Sequence, residues 1–256
     1  MRLLIDQGNS RCKAALWDGV RLSEFTVFAN QQLLDGLPQH LLPAADRVSH
    51  VVLASVAGPA YVARLISSLE NNYHCRIEQL DTTANMAGLV NGYLRPTQLG
   101  VDRWLAMLGA WSRYHNALCV VDIGSAMTID LIDAHGVHRG GLIIPGKALQ
   151  YQALGGNLAA IDPADPGNEG ESPLGQPEWG NQTSRCIKAG VSSSLLGCVE
   201  YAMQMALATL GCRPSLVLTG GDAEYLSGML VQEHVVHAQL VLEGMATLQP
   251  SELEES

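Results

Sequence analysis

The chain has 256 residues, of which 47% are hydrophobic and 16% charged, enough to build one large core or two modest ones. This composition excludes a wholly disordered protein and a small disulfide-stabilised one. Fifteen Lys and Arg against 25 Asp and Glu give a net charge of −10, with no long basic stretch. Nucleic acids and anionic membranes bind clustered positive charge, so we expect neither as a partner.

The N-terminus and the cysteines indicate a compartment. Only three apolar residues separate Arg2 from Asp6, too few for the core of a signal peptide, and no stretch approaches the ~18 apolar residues of a membrane span. The six cysteines form no Cys-x-x-Cys pair, and the eight histidines are dispersed. This spacing disfavours a zinc site and suits free thiols. We expect a soluble, cytoplasmic protein.

Two stretches, close to half the chain apart, share one pattern. Residues 3–17 read as an apolar strand, Asp6-x-Gly8, a small polar turn and a second strand. Residues 119–133 repeat that order around Asp122-x-Gly124. A third strand is predicted after each stretch, because a turn signal and a further apolar run follow. The sequence therefore predicts an internal duplication.

After each set of three strands, the pattern alternates between helix and strand. In the first half it predicts strands over 51–56 and 76–80, and helices over 59–72 and 102–115. In the second half it predicts a helix with an apolar stripe over 195–210, strands over 215–219 and 234–237, Asp222 as a helix N-cap, and a last helix over 239–248. Each half is expected to follow the order βββαβαβα, with helices on a mixed sheet.

The segment 162–182 is the longest irregular stretch, with four prolines and four glycines. Loops of that length are usually either disordered or functional, and the composition leaves both interpretations open. If the segment closes over a site, it would exclude water from the reaction there.

The Asp-x-Gly turn is suited to binding phosphate. Glycine lets the backbone approach a ligand closely, and N–H groups of a tight turn form an anion site. Asp6 would repel a phosphate, so a divalent cation is expected between them, and Lys13 can add positive charge. One copy alone could be an ordinary hairpin, but a second copy at Asp122 favours phosphate binding. Two such hairpins, one from each domain, would converge on one polyphosphate in the cleft between the domains.

Two further segments could contact a substrate. Asp102 could accept a proton from a substrate hydroxyl, and Arg103 could bind an anionic group in bidentate fashion. Spacing alone leaves open that Asp102 is only an N-cap and Arg103 a solvated neighbour. The strand-to-helix turn 219–222, Thr-Gly-Gly-Asp, could pack against a base or ribose, or could simply end the strand.

Motifs spread over nearly the whole chain resemble those of the type III pantothenate kinases, a bacterial family formerly grouped with the Bvg accessory factors in the acetate kinase/Hsp70/actin superfamily. They are DQGNSRCK at 6–13, YLRPTQLGVDR at 93–103, DIGSAMTID at 122–130 with GGLIIPG at 140–146, GNQT at 180–183 and TGGDA at 219–223. The resemblance implies an α/β fold of two ribonuclease H-like (actin-like ATPase) domains, expected at 1–116 and 117–256. It also implies ATP-dependent phosphorylation of pantothenate to 4'-phosphopantothenate, the first step of coenzyme A biosynthesis.

The resemblance further implies roles for individual residues. Asp102 would be the proton acceptor, Asp6 would hold the Mg²⁺ of ATP, and Asp122 would bind a monovalent cation, K⁺ or NH₄⁺. The expected pantothenate contacts are Tyr93, Gly100, Val101, Asp102, Arg103 and Thr183. The expected ATP contacts are Asp6, Gln7, Gly8, Asn9, Ser10, Arg11, Cys12, Lys13 and Ser125. The family is dimeric, so Thr183 of the partner subunit is expected to complete the substrate pocket.

Two positions depart from the family pattern. Ser125 stands where threonine is more common but keeps the hydroxyl, whereas Met127 removes a polar side chain expected near the cleft. Three other functions stay open: an ATP-driven switch like actin or Hsp70, a non-catalytic regulator, and a kinase for another small molecule. A switch would turn over ATP without pantothenate, and the acidic composition argues against a regulator that contacts DNA.

Overall fold

The computed structural model describes residues 1–35, 48–72, 75–157 and 179–248, and these form two compact units. The first unit contains the described residues of Met1–His115, Gly136–His138 and the chain from Gln239 onward. Its strands are β1 (Arg2–Gln7), β2 (Arg11–Trp17), β3 (Thr26–Ala29), β4 (His50–Ser55), β5 (Arg76–Leu80), β6 (Asn85–Met86) and β7 (Leu89–Val90). Its helices include α1 (Asn30–Asp35), α2 (Pro59–Asn72) and α3 (Val101–Tyr114), the last preceded by a 3-10 turn (Pro96–Gln98).

The second unit contains Asn116–His135 and the described residues of Arg139–Ala238. Its sheet is built from β8 (Leu118–Ile123), β9 (Ala126–Ile132), β10 (His138–Pro145), β11 (Ser215–Thr219) and β12 (Val235–Val236). Its helices are α4 (Lys147–Asn157), α5 (Thr183–Leu210) and α6 (Ala223–Ser227). The final helix, α7 (Leu240–Thr247), packs on α3 and so belongs to the first unit.

The two five-stranded sheets have the same topology. Their orders are β3-β2-β1-β4-β5 and β10-β9-β8-β11-β12. The central strand β1 pairs antiparallel with β2 and parallel with β4, and β8 pairs in the same way with β9 and β11. The predicted α/β fold, with a mixed sheet in each half, is therefore confirmed.

The alternation of β1 decides which side chains form the core and which reach the ligand face. Leu3 and Ile5 are fully buried against a cluster that includes Val62 and Leu65 of α2. Because successive side chains of a strand point to opposite faces, Leu4 and Asp6 lie on the other face of the sheet. That face is covered by α3 and α7, so Asp6 lies on the same side of the sheet as α3.

Several predicted elements lie where the sequence placed them, including the helix over 59–72 and the strands over 76–80 and 215–219. The helix α4 and the β6–β7 hairpin were not predicted, since neither has a clear apolar period. The expected division at 116/117 places the last helix in the second half, but α7 packs with the first unit. Most of the segment 162–182 lies outside the described residues.

No described helix is long and apolar enough to cross a membrane.

The contact between α3 and α7 depends on two glycines. A Cβ added at Gly109 would overlap the carbonyl oxygen of Leu240, and one added at Gly244 would overlap that of Leu105. Each helix backbone therefore lies directly against the other, with no space for a methyl group.

We expect Gly244→Ala to lower the free energy of unfolding by about 3 kcal/mol, because the added methyl forces α7 away from α3. Gly197→Ala is the matched control, since Gly197 lies in α5 with nothing within 4 Å of an added Cβ. The control should gain about 0.5–1 kcal/mol from helix propensity. Urea unfolding followed by circular dichroism measures both, and equal stability of the two variants would contradict the tight contact.

Candidate active site

The β1–β2 hairpin carries the first Asp-x-Gly turn. The turn is closed by the Gly8 N–H, which donates to the Arg11 carbonyl at 3.0 Å. Asp6 pairs with Lys13 across the two strands, so their side chains share one face of the sheet. Asp6 is 9% exposed, and the Lys13 ammonium lies 5.7 Å from the centroid of the Phe25 ring. An acidic and a basic group thus flank the turn on the α3 side of the sheet.

Side-chain amides support this turn from within the first unit. Gln7 is 1% exposed, and its Nε2 donates to the Gly8 carbonyl at 2.7 Å while its Oε1 accepts from the Ser55 hydroxyl. Asn30 donates from Nδ2 to the carbonyls of Gly8 and Asn9, both at 3.0 Å. Sequence reasoning missed Ser55 and Asn30, since neither belongs to a recognisable motif. The Gln7 side chain therefore stabilises the turn from within and is not exposed to a ligand.

Cys12 also faces into the first unit. Its side chain is fully buried, and its thiol donates to Asn30 Oδ1 at 3.3 Å. Burial, and secondarily the charge of Asp6, raise the pKa of Cys12 to about 12. The thiol is thus neutral at physiological pH. Among the eight residues 6–13, the exposed ones are Asn9, Ser10 and Arg11 at the tip of the turn.

The first turn of α3 holds the predicted proton acceptor. Gly100 is the N-cap of this helix, so the alternative that Asp102 is the N-cap was wrong. The Asp102 carboxylate is half-buried and accepts from the Arg103 N–H at 2.8 Å. A Cβ at Gly100 would lie 2.6 Å from Asp102 Oδ1, so glycine leaves space for the carboxylate. An acidic group in the first turn is also favoured by the helix dipole.

Arg103, Tyr93 and His138 form one connected group in the first unit. Arg103 is only 6% exposed, and its guanidinium donates to the Tyr93 hydroxyl at 2.9 Å. The Tyr93 ring stacks on His138, with 5.7 Å between centroids and 16° between planes. The structure thus brings two predicted pantothenate contacts together and adds His138, which sequence reasoning missed because the histidines show no spacing pattern. Val101, another predicted pantothenate contact, is also buried.

The second Asp-x-Gly turn lies between β8 and β9 and is held by glycines. A Cβ at Gly220, whose φ is +96°, would overlap both Asp122 Oδ1 and the Ile123 carbonyl. A Cβ at Gly146 would overlap the Gly124 carbonyl, and the Gly146 N–H donates to the Ser125 carbonyl at 2.9 Å. Asp122 Oδ1 and the Ile123 carbonyl oxygen therefore both lie close to Gly220, and oxygens of these two kinds are ligands that suit a hard cation.

An ion pair next to this turn was not predicted. Lys147, the first residue of α4, places its ammonium 2.8 Å from Asp222 Oδ1 and 4.3 Å from the centroid of the Tyr225 ring. Asp222 occupies the N-cap position of α6, but its side chain makes no capping hydrogen bond. The Asp222 carboxylate, predicted to cap the helix, instead binds Lys147. Lys147 directly follows Gly146, whose N–H is bonded to the second turn, so the lysine lies beside that turn.

Three further residues of the second unit, each the subject of a prediction from the sequence, differ in their exposure and surroundings. Ser125 is exposed at the turn, whereas Met127 is fully buried in the core with Ile123 and Leu195. The expectation that Met127 faces the cleft was wrong, since strand alternation turns it into the core. Thr183 begins α5 and lines a groove of about 410 Å³ with residues of α4 and α5.

The predicted residues therefore fall into two groups, one in each unit. Asp6–Lys13, Tyr93 and Gly100–Arg103 belong to the first unit, and Asp122, Ser125 and Thr183 to the second. Within the described part of the chain, no three His, Cys, Asp or Glu side chains are grouped closely enough to hold a metal ion.

Comparison with known proteins identifies the family. A family model described as type III pantothenate kinase matches residues 2–205. A relative from Alkalilimnicola ehrlichii, named type III pantothenate kinase, is 36% identical over 247 residues and covers 96% of each chain. A relative of the same name from Halorhodospira halophila is 33% identical over 253 residues, again with 96% coverage of each. The chain belongs to the type III pantothenate kinase family.

Solved structures support the fold. A protein of Campylobacter jejuni described as a Baf family transcriptional activator has a TM-score of 0.61 at 20% identity, over 99% of this chain and 98% of that one. A protein of Sinorhizobium meliloti described as a 2-dehydro-3-deoxygalactonokinase has a TM-score of 0.55 at 13% identity, with 96% and 97% coverage. At these identities the likeness concerns the fold alone, and it confirms the predicted fold class.

The environment of Cys12 predicts how this thiol reacts. At pH 8 we expect iodoacetamide to modify the exposed Cys212 and to leave Cys12 unmodified, because the nucleophile is the thiolate and the pKa of Cys12 is about 12. Peptide mass spectrometry measures both sites, and labelling in urea shows that Cys12 reacts once unfolded. Comparable labelling of the two thiols in the folded protein would contradict the buried position.

Proposed function

We propose that this protein transfers the γ-phosphoryl group of ATP to the primary hydroxyl of pantothenate, forming 4'-phosphopantothenate. The observation that carries the proposal is the group at the start of α3. A half-buried carboxylate, Asp102, lies next to a buried Arg103 that is bound to Tyr93. A phosphoryl acceptor that carries both a hydroxyl and a carboxylate requires a group that takes the hydroxyl proton and a group that binds the carboxylate. Membership of the family supports the identity of that alcohol.

We propose that both Asp-x-Gly turns contact the phosphates of ATP. In the first, residues 9–11 form an exposed tip that would present backbone N–H groups, and Lys13 would supply a positive charge. In the second, exposed Ser125 offers a hydroxyl, while the charge of the neighbouring Lys147 is paired with Asp222. Phosphoryl transfer requires alignment and charge neutralisation more than covalent chemistry, so these groups would provide most of the catalysis.

Two cations fit the residues present. Asp6 lies at the end of β1 beside the exposed turn, where its carboxylate would hold Mg²⁺ bound to ATP. The oxygens crowded around Asp122 and Gly220 would hold a monovalent cation, K⁺ or NH₄⁺. When bound, these cations would neutralise charge on the phosphates. The chain's own residues do the remaining work: the first turn orients the phosphates, Arg103 and Tyr93 orient the acceptor, and Asp102 takes the hydroxyl proton.

We further propose a homodimer that acts in the cytoplasm, as membership of the family implies. Apolar side chains on α5 support the dimer, since Tyr201 and Met205 are 62% and 43% exposed and lie one turn apart. Leu149 of α4 is also exposed, at 44%. The groove that Thr183 lines is formed by the same two helices, and membership of the family implies that Thr183 of the partner subunit completes the acceptor site.

ADP formation tests the function directly. With ATP, Mg²⁺ and K⁺, we expect the purified protein to release ADP only when pantothenate is added, and to lose most activity when choline replaces K⁺. A coupled spectrophotometric assay measures ADP, and mass spectrometry identifies the phosphorylated product. ADP release that is independent of pantothenate would instead indicate an ATP-driven switch, and no release under any condition would indicate a regulator.

Replacing the proposed proton acceptor tests the mechanism. We expect Asp102→Asn to lower kcat by at least ~10²-fold, because general-base catalysis typically contributes that much. The variant should unfold at the same urea concentration as the wild type and keep its affinity for a non-hydrolysable ATP analogue. Asp81→Asn, at an exposed position of the same unit, is the control and should keep full turnover. Turnover of Asp102→Asn within twofold of the wild type would exclude this role.

A further inference from the structure

Asn30 contacts the first turn from outside the motif. Its Nδ2 donates to the carbonyls of Gly8 and Asn9, each at 3.0 Å, and its Oδ1 accepts from the Cys12 thiol at 3.3 Å. Its own carbonyl accepts from the Tyr61 hydroxyl at 2.8 Å. Asn30 is the first residue of α1, so one end of a helix is bonded to the turn.

These bonds fix the orientation of two successive peptide groups. In a planar trans peptide the C=O and the following N–H point in opposite directions. Because the carbonyls of Gly8 and Asn9 point towards Asn30, the N–H groups of Asn9 and Ser10 point away from it. Two successive N–H groups on the same side of a turn form a concave site for an anion.

We propose that Asn30 is a positioning residue for ATP, because it holds the backbone N–H groups of Asn9 and Ser10 towards the phosphates. This inference rests on the proposed function, since it deepens the role of the same turn. Asn30 would not touch the nucleotide. It acts through the backbone of the turn, and without it the two peptide groups could rotate and present carbonyl oxygens, which repel phosphate.

The chemistry of the contact explains why an amide suits this position. The two carbonyls need a donor and the Cys12 thiol, neutral because burial raises its pKa, needs an acceptor; a carboxamide provides both. Aspartate has the same shape but would offer two acceptors and a negative charge close to the phosphates. Gln7 Nε2 also donates to the Gly8 carbonyl, at 2.7 Å, whereas the donor to the Asn9 carbonyl is Asn30.

Nucleotide binding without acceptor tests the proposal. We would measure the Kd of a non-hydrolysable ATP analogue with Mg²⁺ by calorimetry for the wild type, Asn30→Ala and Asn30→Ser. Serine suits a helix start, has no charge, and gives the answer if the alanine variant does not fold. We expect Kd to rise about tenfold in both, the order that the loss of one to two net hydrogen bonds implies. Gln32→Ala is the control, since Gln32 lies in the same helix and bonds the Ala29 N–H instead of the turn; its Kd should stay within twofold.

Steady-state kinetics separates positioning from a general loss of structure. We expect the KM of ATP to rise about tenfold in the Asn30 variants, while the KM of pantothenate stays within twofold. A fall in kcat with both KM values unchanged, or an unchanged Kd in a folded variant, would overturn the proposal. The binding measurement contains no pantothenate. A wild type that binds the analogue without phosphorylating pantothenate would therefore refute the proposed function, while the Kd of the variants would still decide the role of Asn30. A wild type that does not bind the analogue overturns both.

Discussion

Register between the central strand and its neighbours determines where the chemistry of this protein lies. β1 pairs with β2 so that Asp6 opposes Lys13, and with β4 so that Asp6 also opposes Ala54. A shift of one residue would turn Asp6 towards α2 and into the hydrophobic core. The same pairing of β8 opposes Asp122 to Thr128 and Thr219. In both units the apolar residues of the central strand fix the register, and the acidic residue is positioned as a consequence.

Much of the fold could be predicted, because its signals are local and repeated. The two Asp-x-Gly turns, the helix over 59–72 and the strand over 215–219 each follow from short patterns of apolar and turn residues. The packing of α7 on α3 could not be predicted in this way, since it depends on two glycines that lie far apart in the sequence and allow a close approach. The period of a helix identifies an apolar face but not the partner of that face.

The candidate site was predicted less completely, and the reason is physical. A sequence motif consists of consecutive residues, whereas in a strand the side chains of consecutive residues point to opposite faces of the sheet. Gln7 and Cys12 therefore face into the first unit although they lie within the phosphate motif, and Met127 lies in the second core although it lies within the repeat of that motif. Conversely, the contacts of Asn30, His138 and Lys147 with the candidate sites arise only on folding, so no sequence motif indicates them.

The two turns are similar in sequence but are stabilised by different means. In the first, side-chain amides of Gln7 and Asn30 bind the carbonyls, so substitutions at either residue can alter the turn without changing its motif. In the second, backbone contacts at Gly146 and Gly220 leave no space for a side chain, and the nearby charges of Lys147 and Asp222 neutralise each other. The first turn can therefore adjust through side chains, whereas the second is constrained by its backbone.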